Sequence, residues 1–145
     1  MPAALTLLVA GLAAGLAAGL ATAPEMAETV AKSMPPLTGR WSGAVPEYRE
    51  GAIARHVHIE VSFDGHGHGV LHYPADKCRG RLTLFQAMQG SYTYKESIER
   101  GRCRSGAVVS FLPRKGRLVI DREHLMSPIR IIQSGPLTRM GGTAR

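Results

Sequence analysis

Histidines are concentrated between positions 56 and 72 of this chain. His56 and His58 alternate along one predicted strand, His66 and His68 lie in the glycine-rich turn that follows, and His72 lies on the next strand. Imidazole groups gathered on one face of a hairpin can bind zinc, copper or nickel. Two alternatives stay open: the histidines are ordinary polar residues of an exposed face, or they form a pH-dependent charge switch.

Glu96 is a second candidate for chemistry, because it falls between Tyr94 and Ile98 on an otherwise apolar strand face. A buried carboxylate without a partner is costly, so we expect an ion pair or a tyrosine hydrogen bond. The candidate cations are four nearby arginines: Arg81, Arg100, Arg102 and Arg104. We predict that Glu96 and Tyr94 form a structural polar core, with a general acid or base as the alternative.

Arginines surround both cysteines of the chain. Arg100, Arg102 and Arg104 alternate around Cys103, and further arginines follow Cys78. A bridge between the cysteines would gather these guanidinium groups, which bind phosphate and carboxylate groups in a bidentate manner. We therefore predict an anion-binding patch at Arg100, Arg102 and Arg104, with a solvated basic rim as the alternative.

The sequence contains no recognisable catalytic set. No second carboxylate is spaced to act with Glu96, and no Ser/His/Asp arrangement can be argued from the spacing. The two cysteines are predicted to be bridged, which removes a Cys/His nucleophile. We therefore expect no enzymatic activity and no cofactor, unless the histidine hairpin holds zinc or copper.

These candidate residues must be positioned by strands. Apolar residues alternate with polar ones, as in Val57, Ile59, Val61 and Phe63, and turn residues recur every eight to twelve positions, which is an all-β pattern. We predict a small antiparallel barrel or tight sandwich of seven to eight strands with one disulfide. The predicted strands are 39–45, 55–63, 70–73, 80–85, 92–98, 107–112 and 117–121, followed by one or two closing strands within 127–133 and 136–140.

The N-terminal stretch 1–23 has no charged side chain and ends in Ala21-Thr22-Ala23, a cleavage pattern of signal peptides. Glycines four residues apart at positions 11, 15 and 19 also fit a retained membrane anchor. We predict a signal peptide or N-terminal anchor at 1–23 and a tether at 24–37. A β domain at 38–140 and a frayed tail at 141–145 complete the prediction.

The chain carries a net charge of +7, and all of its charged residues follow the apolar leader. For an exported protein, this favours anionic envelope polymers or lipid headgroups, or an envelope protein, as partners. Export argues against nucleic acid as a partner. Contact with the membrane is expected only if the N-terminal helix is retained.

Cys78 and Cys103 are the two cysteines of the chain. In an oxidising compartment they are expected to pair, and closing a loop of about 25 residues would contribute on the order of 3 kcal/mol. Free thiols or half of a metal site are the alternatives. The pairing favours a periplasmic or secreted protein.

Several short motifs occur in a fixed order. They are G-x-W-x-G at 39–43, Y-P at 73–74, C-x-G-x-L-x-L at 78–84, Y-x-E at 94–96 and G-x-C-x2-G at 101–106. In this order they resemble a largely uncharacterised family of small exported bacterial β domains with two cysteines. The resemblance covers about residues 38–140 and implies a fold and a compartment, but no activity. The histidine-rich hairpin departs from the family.

The chain also resembles the periplasmic inhibitors of lysozyme, which are small cysteine-bridged β-barrels behind a signal. Their inhibitory loop is not recognisable here, and a domain of charge +7 would be repelled by a basic enzyme. The sequence therefore predicts a non-catalytic binding or structural protein of the bacterial cell envelope. A metal-binding envelope protein and an inhibitor of a secreted hydrolase are the alternatives.

Overall fold

The computed structural model describes residues 34–124 and 129–141. The predicted leader, the first part of the predicted tether and residues 142–145 lie outside this part of the chain. The strands are β1 (Thr38–Arg49), β2 (Ala52–Asp64), β3 (His68–Tyr73), β4 (Cys78–Met88), β5 (Ser91–Arg100), β6 (Ala107–Arg114), β7 (Arg117–His124) and β8 (Ile131–Arg139).

The eight strands form one closed antiparallel barrel in which each strand pairs with its neighbours in sequence and β8 pairs with β1. The described residues contain no helix. Closure leaves no unpaired sheet edge. The predicted all-β antiparallel fold with one disulfide is confirmed, and the choice between barrel and sandwich is settled in favour of the barrel.

The core follows from the period-two alternation of the strands, which points every second side chain inward. On β2, Val57, Ile59 and Val61 are buried in this way. Three aromatic rings fill the barrel interior: Phe63 and Phe111 meet edge-to-face at 5.0 Å between ring centroids, and Tyr94 meets Phe111 at 5.6 Å.

The rim at which β1 begins is here called the apolar end. Met34 and Leu37 pack against the core at this rim, and the Tyr92 hydroxyl donates a hydrogen bond of 2.6 Å to the carbonyl oxygen of Pro35. The last residues of the predicted tether therefore contact the barrel. The opposite rim, at which β1 ends, is called the polar end.

The strands β1 and β6 extend through Pro46 and Pro113, where the predicted strands 39–45 and 107–112 had ended. Residues 46–52 lie between the predicted strands 39–45 and 55–63, but β1 continues through Pro46 to Arg49 with a bulge after Glu47. Only one closing strand, β8, occurs in the described residues, and it includes Pro136.

Pro136 lies where the pairing of β1 with β8 is interrupted and the two backbones approach closely. The β1–β8 pairing is interrupted between Ser42/Thr138 and Glu47/Gln133, so the missing N–H of this proline falls where no partner is needed. A Cβ at Gly43 would lie 2.7 Å from the carbonyl oxygen of Pro136, so glycine is what allows the two strands to approach there.

Candidate functional site

The polar end of the barrel contains an unusual group of buried polar side chains. They are Glu47, Glu96, Arg122, His124 and Gln133, each at most 6% exposed. All of them continue the inward-pointing alternation of their strands beyond the apolar core. Buried groups of this kind require hydrogen-bond partners, and the partners divide them into two networks and one unpaired site.

The first network joins three strands. The Tyr73 hydroxyl donates a 2.7 Å hydrogen bond to Oε1 of Glu96, and Arg122 donates two hydrogen bonds of 2.9 and 2.7 Å to Oε2 of the same carboxylate. Burial raises the pKa of Tyr73 well above its usual value. A Cβ at Gly80 would lie 2.9 Å from Oε1, so this glycine makes room for the carboxylate.

The second network is centred on Glu47. Its carboxylate accepts hydrogen bonds from Arg49 at 2.9 Å, from Arg55 at 3.2 Å and from the Gln133 amide at 2.7 Å. Burial acts to raise the pKa of Glu47, but the hydrogen bonds from Arg55, Gln133 and Arg49 outweigh it and hold the pKa below its usual value. Arg55 also pairs with Asp76, so a single guanidinium joins two carboxylates.

The disulfide forms one wall of the polar end. Cys78, at the start of β4, is bonded to Cys103 in the β5–β6 loop, with a Cα–Cα distance of 6.0 Å. The backbone N–H of Cys103 also donates to Sγ of Cys78. The bridge fixes this loop against the barrel and is compatible with an oxidising, exported location.

These parts enclose a cavity of about 350 Å³ that opens at the polar end. Its wall includes members of both networks and the disulfide. Arg102, Arg104, His124 and Ile131 also line it. Because the fold leaves this volume empty of side chains, it has space for a molecule larger than a single water.

Three buried polar atoms of residues that line the cavity have no hydrogen-bond partner within the described residues: Nδ1 and Nε2 of His124, and Oε1 of Gln133. The Gln133 amide nitrogen donates to Glu47, and this contact turns Oε1 away from the carboxylate. A buried polar atom without a partner costs roughly 1–3 kcal/mol. These atoms have almost no surface accessible to water, so a molecule in the cavity would reach them only after the two side chains had moved.

Two of the three predicted anion-binding arginines line the cavity, and the third does not. Arg102 and Arg104 line the cavity, whereas Arg100, which pairs with Arg79 in the β4–β5 register, is not part of the lining. Arg81, one of the expected partners of Glu96, forms an ion pair with Glu99 instead.

The expected partner set of Glu96 was wrong, because its cation is Arg122, two strands away on β7. Tyr94 lies in the apolar core, and its hydroxyl has no hydrogen-bond partner in the part of the chain that the structure describes. Burial raises the pKa of Tyr94 to about 12.

The histidines of β2 and β3 lie on the outer surface around Glu60. Nε2 of His58 is 3.6 Å from one carboxylate oxygen of Glu60, and Nδ1 of His72 is 3.6 Å from the other. His56 is exposed on the same strand. The barrel wall separates this group from the cavity at the polar end.

His66 and His68 are held by the turn between β2 and β3. Their backbone N–H groups donate to Oδ1 of Asp64 at 2.7 and 3.1 Å, and the bond from His66 is the main cause of the lowered pKa of Asp64. Across residues 34–124 and 129–141, no group of three or more His, Cys, Asp or Glu side chains is arranged to hold a metal ion. Zinc or copper binding stays a prediction.

Sequence reasoning missed Glu47, Arg122, His124 and Gln133 as site residues. The available signal was the alternation itself: Arg122 and His124 follow Leu118 and Ile120 at steps of two on β7. The predicted strands had been ended too early, at Val45 before Glu47 and at Asp121 before Arg122, although the inward face continues beyond both positions.

Comparison of the chain with protein-family models, with curated proteins and with solved structures found no match. Within the two described segments, no helix is long and apolar enough to cross a bilayer.

Proposed function

We propose that this protein is an exported, non-catalytic binding protein of the bacterial cell envelope that holds a small polar molecule in the polar end of its barrel. The observation that carries the proposal is the cavity of about 350 Å³, which opens at the polar end between side chains that hydrogen bonds already hold in place. Its wall carries the polar side chains of Glu47, Asp76, His124 and Gln133 together with five arginines. Ligand sites commonly combine a preformed cavity with a few such convergent polar groups.

The surroundings of the cavity support binding because they are already fixed. Glu47 is held by three donor side chains, and Glu96 is held by Tyr73 at one carboxylate oxygen and by two hydrogen bonds from Arg122 at the other. Side chains that are ordered before a ligand arrives lose little conformational entropy when it binds.

The same contacts argue against catalysis. A general base needs an accessible lone pair and a pKa near the working pH. The carboxylates of the cavity wall, Glu47 and Asp76, are both engaged by Arg55, and the pKa of Glu47 is lowered. The remaining imidazole of His124 has no carboxylate partner to orient it within the described residues.

The proposed compartment rests on three features of the chain: the apolar leader, the net charge of +7 and the disulfide between Cys78 and Cys103. The resemblance to small exported bacterial β domains points the same way. We propose a periplasmic or secreted location, where an anionic envelope component is a suitable ligand for a basic domain.

The test is a nuclear magnetic resonance titration of disulfide-intact protein with a panel of small sugars, amino acids and organic acids. We expect at least one compound to shift the His124 ring signals and to raise the melting temperature, since a ligand at 100 times its Kd stabilises a protein by about 2.7 kcal/mol. The matched control is the exposed His56, whose ring signals should stay in place. If no compound moves His124 more than His56, the proposal is overturned.

A further inference from the structure

We propose that the apolar end of the barrel docks on an anionic lipid bilayer. In this arrangement the tip of the β4–β5 hairpin inserts among the lipids, and basic side chains around it contact the lipid phosphates. The inference goes beyond the proposed binding function, because this surface lies at the rim opposite to the cavity. A barrel docked in this way turns the cavity toward the aqueous phase.

The β4–β5 hairpin exposes two large apolar side chains on its projecting part. Phe85 is 63% exposed and Met88 is 50% exposed. The pairing of β4 with β3 ends where Thr83 lies opposite His68, so from Phe85 onward β4 has no partner on that side among the described strands. Apolar side chains exposed in this way are removed from water when the hairpin enters the interfacial region of a bilayer.

The tip of this hairpin is a tight two-residue turn. Gln89 and Gly90 connect the paired residues Met88 and Ser91, and their φ angles are 52° and 78°. Two successive positive φ angles are the pattern of a type I′ turn, which matches the twist of the flanking strands. The apolar side chains are therefore presented on a preformed hairpin, which loses little conformational entropy on docking.

Basic side chains surround the hairpin at the same end of the barrel. Six of them are exposed, and the only carboxylate of this end within the described residues is that of Asp64. None of the six forms an ion pair with a described carboxylate, and Nζ of Lys95 lies 4.4 Å from the ring centroid of Phe85, beside the projecting part. A basic face of this kind is attracted by the negative surface potential of anionic lipids. The six are Arg40, Lys95, Arg114, Lys115, Arg117 and Arg139.

The path of the chain brings the apolar leader to this end. Because Met34 packs against the core and the carbonyl oxygen of Pro35 accepts the hydrogen bond from Tyr92, the chain joins the barrel at the apolar end. Residues 24–33 separate this point from the uncharged stretch 1–23. Ten residues reach at most about 36 Å. A leader held in a bilayer would therefore keep the apolar end, and not the cavity, close to the lipid surface.

A second copy of the chain fits this surface less well than lipid does. Two apolar ends that face each other would bring six cations of one copy against six of the other, and like charges repel across an interface. An anionic bilayer meets the same surface with the opposite charge and also accepts the apolar tip. Lipid therefore suits both parts of the surface.

The test is co-sedimentation of the disulfide-intact chain 24–145 with vesicles made of equal parts phosphatidylglycerol and phosphatidylcholine. This chain keeps every described residue, and the barrel closes within residues 38–139, so no strand is removed with the leader. Binding then comes from the barrel and not from the leader. We expect at least tenfold tighter binding to these vesicles than to phosphatidylcholine alone, and weaker binding at high salt.

One pair of variants tests the apolar contact. Phe85→Ser should lower the affinity for the anionic vesicles by roughly tenfold or more, because a phenyl ring is no longer taken out of water. Ile53→Ser is the matched control, since Ile53 is 56% exposed but lies at the polar end. This control should bind the vesicles as the unsubstituted chain does.

A second pair tests the position of the charge. Arg114→Gln/Lys115→Gln should lower the affinity by roughly twentyfold, at about fivefold for each charge removed. Arg79→Gln/Arg100→Gln removes the same charge from exposed positions at the polar end, so it should have a clearly smaller effect. Equal melting temperatures of all variants verify folding.

Several results would overturn the proposal. They are no binding to the anionic vesicles, equal binding to phosphatidylcholine alone, or equal losses within either pair of variants. If the chain does not bind vesicles but forms a dimer in analytical ultracentrifugation that Phe85→Ser abolishes, a second copy occupies the surface and the proposal is also overturned. The small-molecule site at the polar end stands or falls separately, because its titration is carried out without lipid.

Discussion

Replacing Glu96 with glutamine tests whether the polar end is held together by charge. Its carboxylate is fully buried, and the paired Arg122 side chain is only 8% exposed. Glutamine has nearly the same shape and still accepts a hydrogen bond from Tyr73, but it leaves the guanidinium without a counter-charge. A buried charge that loses its partner is strongly destabilising.

The expected loss is roughly 3–5 kcal/mol of unfolding free energy, against a total of about 5–15 kcal/mol for a domain of this kind. At about 4 °C per kcal/mol, the melting temperature should fall by roughly 12–20 °C. The double variant Glu96→Leu/Arg122→Met leaves no buried charge and should lose less than the single variant, because an ion pair replaced by apolar groups often costs little.

Urea unfolding followed by circular dichroism, together with calorimetry, measures these differences. Glu99→Gln is the matched control, because Glu99 pairs with the largely exposed Arg81, and such surface pairs contribute at most about 1 kcal/mol. A loss for Glu96→Gln no larger than that of the control would refute the reasoning. So would a double variant that is less stable than the single one.

Two further predictions concern the walls of the cavity. The double variant Cys78→Ser/Cys103→Ser should lose on the order of 3 kcal/mol of unfolding free energy, measured by urea unfolding. Dithiothreitol should destabilise the wild-type protein but not this variant. An equal effect of dithiothreitol on both proteins would contradict a structural bridge. The pKa of Glu47 lies below its usual 4.5 in the folded protein, so its contribution to stability is present above pH 4.5 and disappears as the pH falls through the folded value. Glu47→Gln should therefore flatten the acid limb of stability measured by urea unfolding, whereas the exposed Glu50→Gln should not; parallel acid limbs for Glu47→Gln and wild type would exclude this role.

Most strands of the barrel could be predicted from the alternation of apolar and polar residues, because the barrel interior is apolar over most of its length. On β2, four apolar residues at steps of two mark the inward face without ambiguity. Pro46 misled the prediction at 46–52, since a proline is tolerated wherever the ladder leaves its N–H unpaired. That interruption depends on the register of β1 against β8, which local sequence does not contain.

The candidate site was harder to predict for a different reason. Alternation says which way Arg122 and His124 point, but not that a cavity lies at that end of the barrel. The pairing of Glu96 with Arg122 joins β5 to β7 across the barrel interior, so no local spacing indicates it. Arg81 was favoured by its distance in sequence, although it forms an ion pair with Glu99 instead.

The arrangement of the strand ends has a consequence for engineering this protein. β1 begins and β8 ends at the apolar end, where the backbone N–H of Met140 donates to the carbonyl oxygen of Arg40 at 2.8 Å. The strands thus form a ring that a short linker would close, and the tight β6–β7 turn at Gly116 offers a place to reopen it. A circular permutant cut there leaves the strand ends that line the cavity unbroken, because the cavity lies at the opposite, polar end. Reporter groups fused to the new ends therefore stay clear of the mouth of the cavity.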